Sequence, residues 1–345
     1  MHWDVASIFD DPGWMLLRFD GEFAEFVFMT REACRESIFF DHRVRPARDQ
    51  TLRVPIDPIF EHLDRVGFAP PRIHFVHHFA QSGSTLLARA LDHPGNLVIR
   101  EPLHLRQVGV WAGAATAGPL PAQMRPLLQF SLAMLGKRFE PGSPLIVKGN
   151  VPISQLADAI ADLDPGQPAI LLYYGLEDYC LAVLRTPNHQ QWLANVVEEI
   201  GLGGDEAVGQ LAGLSLAEKA AALWLSMIRR FDRLLQAQPA TRSLDANFFF
   251  DHPEETIVAA SRLFDAGIGP GEALEIARGP LFSTYSKDPA VPYDPALRIE
   301  RREEARKSLA TELLEARKWV DRRATASGLP ARLERPLTGP SADLL

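Results

Sequence analysis

A turn of small residues near position 80 has the residue types that best suit binding of a phosphate group. It reads His78-Phe79-Ala80-Gln81-Ser82-Gly83-Ser84-Thr85, between a strand-like run and a helical pattern. Gly83 would let the backbone approach an anion, and the amides that open a helix carry partial positive charge. Against the Walker pattern GxxxxGK[ST], only Gly83 and Thr85 match, and Ser84 replaces the lysine. The turn predicts an anion site unsuited to nucleotide hydrolysis; an ordinary strand-turn-helix connection is the alternative.

Two charged residues follow the next two predicted strands. Glu101 and Lys148 each come at the end of an apolar run, and ligands of open α/β sheets bind at the carboxyl ends of strands. Glu101 could act as a general base if it lay within hydrogen-bond reach of an acceptor hydroxyl. It could equally pair with Arg100 or Arg106 at the surface, and Lys148 could end in solvent.

Metal and thiol chemistry is not expected. His74, His77 and His78 share one strand-like run, but no carboxylate or cysteine stands at a ligand spacing from them. The chain has two cysteines, and Cys180 lies in an apolar helical stretch that favours a place in the core. Neither a metal site nor a disulfide framework is predicted.

Strand-like and helical segments alternate after residue 70. The strand-like runs are 73–79, 97–99, 145–147 and 169–174. Such alternation predicts a P-loop three-layer α/β/α fold with a central parallel sheet. Before it, two apolar runs around Asp20-Gly21 predict a small β-hairpin extension, and the polar stretch from Phe39 to Pro55 is interpreted as a loop.

We expect three parts along the chain. These are an N-terminal β-containing extension (1–70), the P-loop domain with C-terminal helices (71–328), and a loosely ordered tail (329–345) that contains proline, glycine and serine. The net charge of −8 over 345 residues argues against non-specific nucleic-acid binding. Neither a signal peptide nor an apolar run of membrane-spanning length is apparent, so we expect a cytoplasmic protein that does not bind membranes.

The segment from Gln81 to Gly95, followed by Val98-Ile-Arg-Glu101-Pro102, resembles the P-loop sulfotransferase family. It is most similar to bacterial members and to the tyrosylprotein sulfotransferase branch, over about residues 72–320. In that family the loop holds the 5′-phosphate end of the donor PAPS, and a glutamate after the next strand is the general base. The resemblance implies that Ser82, Gly83, Ser84 and Thr85 cradle the donor, with Glu101 and Lys148 as catalytic residues.

The sequence departs from the family pattern where the donor is recognised. Gln81 replaces the loop cation, and Asn150 replaces a histidine of cytosolic-type members. Tyr174 and Ala182 stand where an arginine and a serine would hold the 3′-phosphate. A neutral tyrosine brings no positive charge. The candidates for compensation are Arg89, Arg100, Arg185 and Lys287, and His77 and His78 could add charge below about pH 6.5.

Three functions follow as hypotheses. The first is transfer of a sulfuryl group from PAPS to a hydroxyl or phenol of a small molecule or peptide. The second is a non-catalytic scaffold that serves as a partner-binding or maturation factor, with a protein partner or a second copy of the chain. The third is a kinase-like transferase with another phosphorylated donor.

Overall fold

The computed structural model describes residues 5–115, 120–285, 288–292 and 295–345. The chain opens with a small layer around an antiparallel sheet of order β1-β2-β3. Its elements are α1 (Val5–Asp10), β1 (Trp14–Asp20), β2 (Phe23–Phe28), α2 (Arg31–Glu36), β3 (Thr51–Pro55) and α3 (Ile56–Val66).

The predicted hairpin is present, and a third strand extends it. Asp20 pairs with Phe23 across the turn, where Gly21 has a φ of +59°. Strand β3 pairs along β2 and comes from the stretch that we had interpreted as a loop, so that interpretation is wrong for Thr51–Pro55. The alternation of Leu52 and Val54 with polar residues was the signal for the strand.

The centre of the protein is a sheet of five parallel strands in the order β5-β6-β4-β7-β8. The α/β class with a central parallel sheet and a small N-terminal β layer is therefore confirmed. The strands and helices of this part are β4 (His74–His78), α4 (Ser84–Ala90), β5 (Leu97–Arg100), α5 (Leu103–Ala115), α6 (Arg125–Leu135), β6 (Leu145–Lys148), α7 (Ala157–Leu163), β7 (Ala169–Tyr173), α8 (Leu176–Leu184), α9 (Pro187–Glu199), α10 (Leu216–Ala237) and β8 (Arg242–Asp245).

Both faces of the central sheet are buried, as expected for parallel strands. On one face, Phe75 and Val147 belong to a core shared with the N-terminal layer, α5 and α6. On the other face, Val76 and Ile146 belong to a core shared with α8 and α10. The N-terminal layer therefore packs directly on the sheet whose strand ends carry the candidate site residues.

Strands β4, β5 and β6 end at the same level of the sheet, just before the candidate site residues. Arg100 pairs with Lys148 across β5 and β6, and Val76 of β4 pairs with the same lysine. This register places Glu101, Lys148 and the turn after His78 at one edge of the sheet.

Helices form most of the C-terminal part. The elements are α11 (Ala246–Asp251), α12 (Pro253–Phe264), α13 (Pro270–Arg278), α14 (Pro280–Ser283), β9 (Thr284–Tyr285), β10 (Asp288–Pro292), α15 (Pro295–Ser308) and α16 (Ala310–Ser327). Among the described helices, none has the length and apolar character needed to cross a bilayer.

The segment 329–345 is packed against the body of the protein, so the prediction of a loosely ordered tail is wrong. The Ser243 amide donates to the Arg335 carbonyl (3.0 Å), and the Leu337 amide donates to the Ser243 carbonyl (2.7 Å). Leu333 and Leu344 are fully buried in the main core. These two leucines outweigh the proline, glycine and serine that suggested a loose tail.

Candidate functional site

A cavity of about 740 Å³ opens at the carboxyl edge of the central sheet. Its walls come from the turn after β4, the ends of β5, β6 and β7, the segment before β3, and helices α8, α9 and α15. Eight of the residues predicted from the sequence line it, namely Gln81, Gly83, Ser84, Thr85, Glu101, Lys148, Tyr174 and Arg185.

The turn after β4 is tight, and a ring packs closely against it. Gln81 and Gly83 both have a positive φ, of 63° and 84°. A Cβ atom at position 83 would lie 2.6 Å from the Cζ atom of Phe250, so glycine alone fits here. The hydroxyl of Ser82 is buried and donates to the Phe79 carbonyl (2.7 Å). Ser82 therefore stabilises the turn and does not line the cavity, contrary to the role implied for it.

Thr85 lines the cavity and carries a buried polar atom. Its side chain is 2% exposed, and its Oγ1 atom has no hydrogen-bond partner among the described residues. The Leu87 amide donates to the Gly83 carbonyl (3.0 Å) at the start of α4. The amides of Ser84 and Thr85 precede this bond, and such amides at a helix start are suited to an anion.

Glu101 and Lys148 contact each other at the bottom of the site. The Lys148 ammonium donates a hydrogen bond to the Glu101 carboxylate, and the Glu101 amide donates to the Lys148 carbonyl (2.7 Å). The lysine side chain is 1% exposed and the glutamate side chain 24%. Glu101 has a φ of +54°, a conformation uncommon outside glycine and often found at functional positions. A proton acceptor and a buried positive charge therefore share this end of the cavity.

His78 joins the turn to the segment after β6. Its Nδ1 lies 2.8 Å from the Phe79 carbonyl oxygen and its Nε2 lies 2.6 Å from that of Gly149. Burial, and then the charge of Lys148, lower the pKa of His78 to about 3. A neutral imidazole has one N–H, so at neutral pH only one of these contacts is a hydrogen bond.

Four arginines of the cavity wall were missed. Arg43 and Arg106 come from the N-terminal layer and α5, and Arg298 and Arg301 come from α15. The spacing of Arg298 and Arg301 puts both on one helix face, a signal that the sequence offered. The mixed charges around them are typical of a solvated helix face, which is why the two arginines were not among the predicted site residues.

Most of these cations are already paired. Arg106 contacts Glu199 (2.5 Å), and Arg298 contacts Asp251 (2.8 Å) with its guanidinium 4.5 Å from the Phe250 ring centre. Within the described part of the chain, no carboxylate forms an ion pair with Arg185 or Arg301. Two guanidinium groups of the wall can therefore receive an anion.

Arg100 does not line the cavity, and the expectation that it binds donor is wrong. Its guanidinium donates to Asp92 (2.9 Å) and to the carbonyls of Cys34, Arg35 and Ser37. These acceptors occupy the donors of the guanidinium. They hold the buried side chain at the end of α2, away from the cavity.

The positions that depart from the family pattern do line the cavity. The hydroxyl-bearing Tyr174, the amide-bearing Asn150 and Ala182 are all wall residues. Asn150 accepts a hydrogen bond from the Ile153 amide (3.2 Å) through its side-chain oxygen. Lys287 lies outside the described residues.

Among the described residues, the site offers neither a reactive thiol nor a group of metal ligands. Cys180 is fully buried, and burial raises the pKa of its thiol to about 12. In the described ranges, no three histidine, cysteine, aspartate or glutamate residues are grouped as metal ligands would be.

No protein-family model matches the chain, and no curated protein matches it either. Among solved structures, a sulfotransferase from Alicyclobacillus acidocaldarius is similar to it, with 15% sequence identity and a TM-score of 0.39. The match covers 75% of this chain and 98% of that one.

Proposed function

We propose that the protein is a sulfotransferase-like enzyme that moves a sulfuryl group from PAPS to a hydroxyl group. One observation carries the proposal. The turn ending at Thr85, with its unpartnered buried hydroxyl, opens into the same cavity as the Glu101–Lys148 pair. An anion-binding turn and a proton acceptor in one cavity are what transfer from an anionic donor requires.

The turn and two arginines would hold the donor. The amides of Ser84 and Thr85 and the Thr85 hydroxyl suit the diester anion at its 5′ end. Arg185 and Arg301 supply the charge for a second phosphate that Tyr174 cannot. Lys287 keeps the same proposed role.

The catalytic pair would act on the acceptor and on the bond that breaks. Glu101 accepts the proton of the acceptor hydroxyl, and the acceptor oxygen forms a bond to sulfur. The bond between sulfur and the donor phosphate oxygen breaks, and Lys148 stabilises the charge left on that oxygen. PAPS supplies the sulfuryl group when it is bound.

Calorimetric titration with PAP tests donor binding directly. We expect saturable binding by the wild-type protein and at least tenfold weaker binding by a variant with both Arg185→Ala and Arg301→Ala. The matched control is Arg317→Ala on α16, where the arginine pairs with Asp321 (2.8 Å) and is not a cavity residue. Failure of the wild type to bind PAP at millimolar concentration would remove the proposal.

A non-catalytic scaffold is the second candidate, and it is favoured by Gln81, Tyr174 and Ala182 in the wall of the cavity. A Gly83→Asp variant separates the two, because the added carboxylate would fill and repel the anion site. Retained biological activity of a folded variant supports the scaffold. A thermal-shift series with PAP, ATP and GTP distinguishes the third candidate, a kinase-like transferase, since only a bound nucleotide stabilises the protein.

A further inference from the structure

The segment from Ser37 to Arg43 reaches from the N-terminal layer into the wall of the cavity. Phe39, Asp41, His42 and Arg43 all line it. None of them belongs to the turn, the strand ends or the C-terminal helices.

This segment is fixed to the end of β5, next to Glu101. The Phe40 amide donates to the Arg100 carbonyl (2.6 Å), and the Leu103 amide donates to the Phe40 carbonyl (2.9 Å). The Arg100 side chain adds two bonds to the Ser37 carbonyl, at 3.1 Å from Nε and 2.6 Å from Nη2. The segment is therefore held on both sides of Glu101 by backbone hydrogen bonds and a buried guanidinium.

The segment presents one aromatic ring, Phe39, and one ion pair, Asp41–Arg43, to the cavity. The Phe39 ring centre lies 5.4 Å from the Lys148 ammonium and 4.5 Å from the Arg43 guanidinium. The Nε of Arg43 donates to both carboxylate oxygens of Asp41, at 2.9 and 3.1 Å. The two charges compensate each other, so the segment adds an aromatic side chain beside Glu101 and Lys148 and brings no net charge from this pair.

We propose that Ser37–Arg43 is the wall that recognises the acceptor, and that Arg100 is the residue that positions it. This inference rests on the proposed function, and it names the acceptor as a small, uncharged aromatic hydroxy compound. Glu101 is a carboxylate, and carboxylates as a class are weak bases that suit a phenol, whose pKa is about 10, better than an alkyl alcohol. The phenol proton passes to Glu101, the phenol oxygen bonds to sulfur, and the donor oxygen leaves.

Binding of 2-naphthol in the absence of donor tests the wall. We expect saturable binding by the wild type and at least tenfold weaker binding by Phe39→Ala, with PAP affinity unchanged. The matched control is Phe23→Ala on β2, whose ring also packs under a guanidinium (Arg53, 3.9 Å) but is not a cavity residue. Equal naphthol affinity in wild type and Phe39→Ala overturns the inference.

An acidic tyrosine peptide serves as the competing probe. If it binds to the wild type while 2-naphthol does not, the acceptor class is wrong. PAP binding without naphthol binding defeats this inference alone, whereas naphthol binding without PAP binding defeats the sulfotransferase assignment and leaves the wall as a binding site.

The positioning role of Arg100 has its own test. Arg100→Lys keeps the charge but cannot bond Asp92 and Ser37 with one planar group. We expect the KM for 2-naphthol to rise about tenfold while kcat and PAP affinity stay within twofold. A lower melting temperature with an unchanged KM would show that Arg100 is structural only.

Discussion

The Lys148 ammonium donates a hydrogen bond to the Glu101 carboxylate, and the lysine side chain is almost completely buried. A buried ammonium is costly unless a carboxylate compensates it. The two residues therefore form one unit, although they lie 47 positions apart in the chain. The family resemblance implied a catalytic role for each of them, and their hydrogen bond predicts that a change in one affects the other.

Replacing the carboxylate of this pair should affect both stability and transfer. Glu101→Gln removes the charge that compensates Lys148, so we expect the free energy of unfolding to fall by about 2 kcal/mol. PAP affinity should stay within threefold while sulfuryl transfer to 2-naphthol falls at least a hundredfold. Urea unfolding and calorimetry measure the first two quantities.

The control for this change is a surface ion pair. Glu25→Gln removes the partner of Arg18, whose side chain is 46% exposed. The expected loss is below about 1 kcal/mol. Equal losses in the two variants would show that burial of Lys148 does not depend on Glu101.

The turn after β4 should not tolerate any side chain at position 83. Gly83→Ala meets a backbone φ of +84° and places a Cβ 2.6 Å from the Phe250 ring. We expect a loss of about 2–3 kcal/mol in stability and at least tenfold weaker PAP binding.

Gly142 provides a matched control, because its φ is +83° and no atom lies within 4 Å of an added Cβ. Gly142→Ala should lose about 1 kcal/mol and bind PAP normally. If both variants lose the same stability, contact with Phe250 adds nothing to the cost.

The Thr85 hydroxyl should contribute to ligand affinity more than to stability. Its Oγ1 is buried without a partner among the described residues, so Thr85→Val removes a polar atom that folding leaves unsatisfied. We expect the melting temperature to stay equal or rise and PAP affinity to fall about tenfold. Thr85→Ser should retain affinity. A Thr85→Val variant with wild-type affinity would place the anion elsewhere.

Helix α15 should open more easily when one of its ion pairs is removed. Of its described side chains only Ala305 is buried, and Arg302 pairs with Asp178 of α8 (2.6 Å). Such a pair contributes about 1 kcal/mol. Arg302→Ala should therefore raise hydrogen exchange of α15 about fivefold and weaken PAP binding to a similar degree. Arg302→Asp with Asp178→Arg should restore both. Unchanged exchange would mean that other contacts hold the helix.

Stability should fall as the pH drops below 6.5, because four buried histidines resist protonation. Burial lowers the pKa of His74 and His77 to about 4 and of His78 and His104 to about 3. The unfolded chain takes up these protons near pH 6.5 and the native chain does not. Each histidine therefore contributes stability that is complete above pH 6.5 and is lost as the pH falls toward 3–4, at up to about 1.4 kcal/mol per pH unit.

A single substitution isolates this effect. In a His104→Leu variant the free energy of unfolding should fall less between pH 6.5 and 4.5, because one of the four histidines no longer takes up a proton on unfolding. Urea denaturation across this range measures it. An identical slope in wild type and variant would show that His104 is protonated in the native protein.

The parts of the site that were predictable are those encoded locally. The turn at Gly83, the strand ends before Glu101 and Lys148, and the parallel sheet all follow from short patterns of residues. The closeness of Glu101 and Lys148 could also be inferred, since the carboxyl ends of parallel strands lie at the same edge of a sheet.

The parts that were missed depend on distant contacts. Phe39 and Arg43 reach the cavity because Arg100 bonds to carbonyls at the end of α2, and no local pattern encodes that. Arg301 lies on a helix whose charges are typical of a solvated face, and its place in the cavity wall follows only from the fold.

The segment that follows α16 also decides how the sheet ends. A β-bridge joins Ser243 to Pro336, so the outer edge of β8 is covered by the chain's own backbone. A strand edge left open can pair with another molecule and start aggregation. Truncation before Pro336 would therefore expose the edge of β8. Such a variant would be poorly soluble even if its cavity were intact.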